Sequence, residues 1–203
     1  MYKNIVFDFG GVMVDFDPHK YLLDLFGNRG LEEEVYDLTF GSREWRLLDA
    51  GRITRREANE RMLQRARAVG RGFEVEGVLD DWMSMLHPRR RMQTLVEQLK
   101  QRGYCVYYLS NIPEDVLDLL MHRDFEGLFD GGVASCEVKV NKPDPRIYQT
   151  LLDKYHLRAD ECIFIDDRAD NLVAASALGF GIYEMHNVGT LLRSLPTFGV
   201  SLH

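Results

Sequence analysis

The stretch Asn4-Ile5-Val6-Phe7-Asp8-Phe9-Gly10-Gly11-Val12 runs an unbroken apolar segment into a carboxylate and a glycine pair. Apolar residues at successive rather than alternate positions mark a strand covered on both faces, as in a parallel sheet flanked by helices. Read as Asn4–Phe9, this strand is followed by four more of the same character: Tyr104–Leu109, Gly131–Ser135, Cys162–Asp166 and Phe180–Glu184. Helical periodicity fills the gaps over Arg91–Gln101, Glu114–His122, Arg146–His156 and Asn171–Leu178. Strands alternating with helices predict an α/β fold with a doubly wound parallel sheet. Pro145 at a first helical turn and Gly179 just past Leu178 agree with the helix ends.

Residues 16–88 break this alternation. Asp17-Pro18 opens a helix carrying Tyr21, Leu22, Leu25 and Phe26, and Gly27 closes it. Thr54 and Glu57 form a capping-box pattern ahead of Ala58, Met62, Ala66 and Val69, and Val75, Leu79, Trp82 and Leu86 repeat the helical spacing. The expected organisation is a core of residues 1–15 and 89–203 with an all-helical cap of residues 16–88. The cap enters after the first strand, so it should sit above the sheet's C-terminal edge. The last segment, Asn187–His203, should pack back on the sheet through Leu191, Leu192, Leu195 and Phe198.

Composition narrows the function classes. With 203 residues and 45% hydrophobic content, a chain of this size can bury roughly 70% of its unfolded surface, so no metal or disulfide staple is needed to fold it. The 25 Lys and Arg against 32 Asp and Glu leave a charge of −7, which disfavours nucleic acid despite the cluster Arg52, Arg55, Arg56, Arg61, Arg65, Arg67 and Arg71. A solvated helix face is the expected reading of that cluster. No apolar run approaches the roughly 18 residues of a membrane span, and Asp8 interrupts any export signal, so a cytoplasmic protein is expected. Cys105, Cys136 and Cys162 form no C-x-x-C pair and read as buried free thiols.

Ligands of open parallel sheets bind outside the carboxyl ends of the strands. There the sequence places Asp8, Ser110-Asn111, Asn141-Lys142-Pro143-Asp144 and Asp166-Asp167. Carboxylates at two strand ends suit a hard cation such as Mg²⁺, and a Lys with a Ser opposite would neutralise and hydrogen-bond a phosphoryl group. The combination describes phosphoryl transfer to a carboxylate. It requires the acidic tips of the first and fourth strands to meet, with no basic group filling the gap.

At these residues the chain resembles the haloacid dehalogenase superfamily of Mg²⁺-dependent phosphohydrolases. The resemblance is to the branch with a helical cap inserted after the first motif, close to its sugar-phosphate phosphatases. It spans essentially the whole chain through four ordered motifs. It implies that Asp8 is the nucleophile, that Ser110 and Asn111 hold phosphoryl oxygens, and that Lys142 bridges nucleophile and phosphate. It further implies that Asp8, the Gly10 carbonyl and Asp166-Asp167 hold Mg²⁺, with Asp167 the more direct ligand. The expected partner is a small phosphorylated metabolite, bound by a monomer or homodimer.

Two departures stand out. Lys139 replaces a glycine that the family carries three residues before the motif-three lysine. Gly10 replaces the second aspartate, whose side chain protonates the leaving group, a role typically worth about 10² to 10⁴ in rate. The leaving group then needs little protonation, or Asp15, Asp17 or a cap residue stands in. Because of Gly10, two alternatives accompany the phosphatase reading: a metal-independent 2-haloacid dehalogenase and a non-catalytic binding protein. In the insert, Arg43, Trp45 and Asp49 are candidates to face substrate, whereas Arg89, Arg90 and Arg91 read as a solvated run.

Overall fold

A computed structural model describes residues 2–202; Met1 and His203, which belong to the expected core segments, lie outside the described residues. In chain order the elements are β1 (Asn4–Phe7), α1 (Pro18–Phe26), α2 (Arg29–Leu38), α3 (Arg43–Asp49), α4 (Arg55–Ala68), α5 (Gly72–Asp81) and α6 (Arg90–Gln101). There follow β2 (Cys105–Ser110), α7 (Glu114–Arg123), β3 (Gly131–Ala134), α8 (Ser135–Val138), α9 (Pro145–Tyr155), β4 (Cys162–Asp166), α10 (Ala169–Ala177), β5 (Gly181–Glu184) and α11 (Val188–Ser194). The strands form one sheet in the order β3-β2-β1-β4-β5, and every adjacent pair is parallel.

Two-residue alternation divides the sheet between two cores. Ile5, Phe7, Val106, Tyr108, Ile163 and Ile165 face one cluster, joined by Leu95 of α6 and Leu120 of α7. Val6, Tyr107, Leu109 and Phe164 face the other, against Ile147 and Leu151 of α9 and Leu172 of α10. Fully burying a side chain such as Phe164 contributes about 1.5–3 kcal/mol, which is why these strands are apolar at every position. The C-terminal segment packs into the first cluster through Leu191 and Leu195, with Leu192 and Phe198 partly buried against it.

The periphery departs from the sequence reading. β5 is an edge strand whose residues alternate between half-buried and exposed, so it is not apolar on both faces as expected. Strand bounds move by one or two residues, the usual scatter at element ends. Cys105 is exposed at the first position of β2, contrary to the expectation of three buried thiols, while Cys136 and Cys162 are buried and free.

The insert contains five α-helices where the periodicity indicated three helical stretches. The Asp17 side chain accepts from Lys20 N–H at 3.0 Å, and Gly27 ends α1 with φ 60°, a left-handed conformation that glycine adopts without strain. The Thr54–Glu57 capping box is formed at α4. Leu22, Val35, Met62 and Trp82 join the cluster that contains Ile5 and Phe7, so apolar packing is continuous from insert to sheet. Much of the arginine cluster is ion-paired: Arg55 with Asp115, Arg65 with Glu44 and Arg71 with Glu34.

Candidate active site

The chain passes from β1 to β2 and β3 on one side, then crosses to β4 and β5 on the other. The topology therefore reverses between β1 and β4, where a crevice forms. Asp8 leaves β1 at this point, its N–H donating to Ile165 O at 3.0 Å. The Asp8 carboxylate is buried, and its Oδ1 accepts from Phe9 N–H at 2.7 Å and lies 3.0 Å from Lys142 Nζ. Burial pushes this carboxyl up to about 7, opposed by the Lys142 ammonium, reinforced by Asp166 and opposed again by a hydrogen bond from Ser110.

Lys142 reaches the site from the loop after α8. Its three ammonium protons face Leu109 O at 2.8 Å, Asp166 Oδ2 at 2.7 Å and Asp8 Oδ1. Burial pulls the amine down, but Asp8 and Asp166 outweigh this and hold it above the ordinary lysine value. Asp166 is fully buried and saturated: Oδ1 accepts from Arg168 N–H at 2.8 Å and Asn171 Nδ2 at 3.0 Å, and Oδ2 from Lys142 and Asn171. Thus Lys142 stands between Asp8 and Asp166, against the requirement that no basic group fill that gap, and the strand tips left to share a cation are Asp8 and Asp167, whose oxygens lie within 4.8 Å of each other.

Asp167 differs from its neighbour in every respect. It is exposed towards the cavity and makes no ion pair among the described residues. Its carboxyl is raised by burial of its surroundings and by the charge of Asp166. One oxygen each from Asp8, Asp166 and Asp167 falls within 4.8 Å of the others. If all three are ionised, Lys142 balances one charge and two remain, which a divalent cation would neutralise. Hard oxygen donors fit Mg²⁺. Because Asp166 is saturated, Asp8 and Asp167 are the side chains free to bind, with Asp166 behind them.

Gly11 makes that approach possible. Its φ is 71°, and a Cβ there would lie 2.1 Å from Asp167 Oδ2, so only glycine lets the Asp167 carboxylate rest against this loop. Gly10 beside it lines the cavity and has ordinary space around it: an added Cβ would meet Phe16 Cδ1 at 3.4 Å. Lys139 adopts φ 62° at the end of α8, a left-handed conformation that favours glycine. Its amine donates to Gly51 O at 2.9 Å, so the larger side chain ties this loop to the insert.

A cavity of about 1360 Å³ opens over the carboxylates, with Asp8, Gly10, Lys142 and Asp167 on its floor and insert residues on its wall. Ser110 does not line it; the residue is buried beneath, hydrogen-bonded to Asp8. Asn111 does line it, yet its side chain is engaged with the Lys142 main chain, accepting at 2.7 Å and donating at 2.9 Å. Both are expected to hold phosphate; in the structure the Ser110 side chain contacts Asp8 and that of Asn111 the Lys142 main chain. Of the insert candidates, Trp45 and Asp49 reach the cavity and Arg43 does not.

Arg89 overturns the expectation of a solvated run, which holds only for the exposed Arg90 and Arg91. It pairs with Asp15 at 2.7 Å and donates to Gly11 O, clamping the loop after β1. Asn171, Gly11 and Arg89 are site residues the sequence reading missed. The Gly-Gly doublet was a signal for Gly11; Asn171 and Arg89 act through contacts that no motif announces.

A family model described as haloacid dehalogenase-like hydrolase matches residues 2–179, and the chain belongs to this hydrolase family. It is 30% identical over 197 residues to the sesquiterpene phosphatase AstK of Aspergillus oryzae, covering 95% of this chain and 94% of that one. It is 29% identical to the D-ribitol-5-phosphate phosphatase of Bacteroides thetaiotaomicron, covering 92% and 93%. A haloacid dehalogenase family enzyme of B. thetaiotaomicron, solved with magnesium and inorganic phosphate, shares the fold with a TM-score of 0.71, at 24% identity over 95% of this chain and 98–100% of that one.

Proposed function

We propose that this chain is a Mg²⁺-dependent phosphatase that cleaves a small phosphate monoester, with a sugar phosphate or similar polyhydroxylated metabolite favoured, through an aspartyl phosphate on Asp8. One observation carries the reading. Asp8 stands at the topological switch point between a fixed ammonium, Lys142, and an unpaired carboxylate, Asp167, on the floor of a metabolite-sized cavity. The full-length relatives named as phosphatases support it, as does the structural neighbour bound to magnesium and phosphate.

An Asp8 carboxylate oxygen attacks phosphorus; the P–O bond to Asp8 forms and the bond to the leaving group breaks. Water then attacks the same phosphorus and returns Asp8 as a carboxylate, so one difficult hydrolysis becomes two easier ones. Lys142 orients Asp8 and favours its ionised form against burial, and Asn111 and Asp166 keep Lys142 in place. Asp8, Asp167 and the Gly10 carbonyl would hold Mg²⁺, which when bound offsets the charge of the phosphoryl oxygens. His19, Arg46 and Asn141 on the cavity wall provide polar groups for a hydroxylated leaving group.

The test is phosphate release across sugar phosphates, nucleotides and acyl phosphates with and without Mg²⁺. Release should require the metal and fall on the order of 10⁴-fold or more in Asp8→Asn, as loss of a nucleophile does. Halide release from a 2-haloacid without Mg²⁺ would establish the dehalogenase alternative instead. Ligand binding with no turnover would establish the non-catalytic one.

A further inference from the structure

Gly10 leaves the site one acid short. An alkoxide leaving from phosphorus must acquire a proton, and the floor of the cavity offers none. Lys142 has all three donors engaged, Asp166 accepts at both oxygens, and Asp8 and Asp167 face phosphorus and metal. Other carboxylates around the cavity are committed elsewhere. Asp15 pairs with Arg89, Asp17 caps α1, Asp24 pairs with Lys20 and Asp170 pairs with Arg168, while Asp37 is exposed on α2.

Asp49 is the exception. It ends α3, lines the same cavity as Asp8 and Gly10, and its carboxyl group makes no hydrogen bond or ion pair among the described residues. Its main chain is anchored to the core: Ser135 Oγ donates to Asp49 O at 2.5 Å, and two residues on Lys139 Nζ donates to Gly51 O. Arg52 Nε and Nη2 complete the seam at Lys139 O, at 3.1 and 2.9 Å. Gly51, with φ 57°, permits this contact, since a Cβ would lie 2.6 Å from Cys136 O. A carboxyl group fixed this firmly above the floor of the site, and left without a partner, is placed to meet a ligand.

We infer that Asp49, carried by the insert, is the acid that protonates the leaving oxygen in place of the side chain Gly10 lacks. The inference rests on the phosphatase reading. As the P–OR bond breaks, its electron pair stays on oxygen and the Asp49 proton completes the alcohol. In the second step the Asp49 carboxylate takes a proton from the attacking water and is restored. Burial, opposed by Arg55 and reinforced by the charges of Asp8 and Asp115, pushes the Asp49 carboxyl up to about 7, so a protonated fraction is present in neutral solution.

The experiment is single-turnover release of the leaving group by wild type, Asp49→Asn and the double variant Gly10→Asp/Asp49→Asn. Substrates are an alkyl or sugar phosphate, whose alkoxide needs a proton, and an aryl phosphate with an acidic phenol, which does not. Asp49→Asn should lower release from the alkyl ester about 10²–10⁴-fold and from the aryl ester less than about tenfold. The aryl rate also reports that the variant is folded. Adding Gly10→Asp should restore much of the alkyl rate, because a Cβ at this position keeps ordinary contact distance from Phe16. Equal losses on both esters, or an unchanged alkyl rate, would overturn the assignment of Asp49 while leaving the phosphatase reading intact. Absence of Asp8-dependent phosphate release from the wild type would remove both.

Discussion

The floor of the cavity and the seam beneath the insert treat their polar groups in opposite ways. On the floor, Asp166 and Lys142 are saturated by fixed partners, and even Asn111 is engaged at both ends of its amide. Along the seam, Arg55 Nη1 and Asn59 Oδ1 in α4 and Asn141 Oδ1 on the facing loop are buried without partners, and the Asp49 carboxyl is unpaired. Buried polar groups without partners cost free energy and are uncommon in native structures. The contrast teaches where each part of a reaction is handled. Asp166 and Lys142, held by fixed partners, are preorganised for charge that is the same in every turnover, whereas the cavity-lining Asp167, Asp49 and Asn141 Oδ1 retain hydrogen-bonding capacity for whatever is bound.

Replacing Asp49 challenges this contrast most strongly, because the two sides predict opposite signs. A carboxylate with partners would be missed, and its loss would destabilise the fold. An unpaired carboxyl raised by burial from 3.8 to about 7 does the reverse. Its contribution to stability is whole below about pH 4 and is lost as pH rises through about 7, since the folded state holds the proton longer than the unfolded chain. Asp49→Asn has no such loss. Each pH unit between the two midpoints is worth about 1.4 kcal/mol, which sets a ceiling near 4 kcal/mol, reduced because Asp49 opens on the cavity. Thermal unfolding should therefore show the variant more stable at pH 8, by about 1–4 kcal/mol, and equal to wild type below pH 4. A lower Tm at pH 8 would mean that Asp49 has a partner.

Asn171 sharpens the other half of the comparison. It is 2% exposed and gives both Asp166 oxygens a hydrogen bond, at 3.0 and 3.1 Å. Groups that orient metal-binding side chains typically account for 10- to 100-fold in affinity, or about 1.4–2.7 kcal/mol. Asn171→Ala should weaken Mg²⁺ binding by that range in a calorimetric titration of the protein without substrate. Unchanged affinity would show that the saturation of Asp166 is incidental to the metal.

These two sides were not equally legible in the sequence. β1 and β4 are buried on both faces, so their apolar runs are continuous and the carboxylates that end them, Asp8 and Asp166-Asp167, stand out; Lys142, on a loop, was readable only from its motif. β5 was read as buried because Ile182 and Tyr183 are apolar, but an edge strand needs cover on one face only. In the insert, α3 has seven residues and α8 in the core has four, too short for helical periodicity to register. Asp49 appeared only as one candidate among three, since nothing local distinguishes an unpaired carboxyl from a solvated one. Lys139 looked like a defect in a motif; the residue it grips, Gly51, is 88 positions away. Contacts of that span are set by topology, and a motif records only the end that carries the chemistry.

The smallest effect should come from the ion pair that crosses the seam, and its size matters for that reason. Arg55 grips Asp115 of α7 with Nε and Nη2 at 2.9 and 3.1 Å, while its guanidinium lies 5.6 and 5.1 Å from the ring centres of Trp45 and Trp82. Asp115 is 41% exposed, so water and salt screen the pair, and exposed pairs are worth only about 0.2–1 kcal/mol. A double-mutant cycle of Arg55→Ala and Asp115→Ala should give a coupling within that range, shrinking as ionic strength rises. Arg55→Ala alone should cost more than Asp115→Ala, because it also removes packing over two indoles. If the pair instead coupled by several kcal/mol independently of salt, the seam would be as firmly satisfied as the floor. The insert would then hold its polar groups as rigidly as the sheet edge does, and the division of labour between the two would disappear.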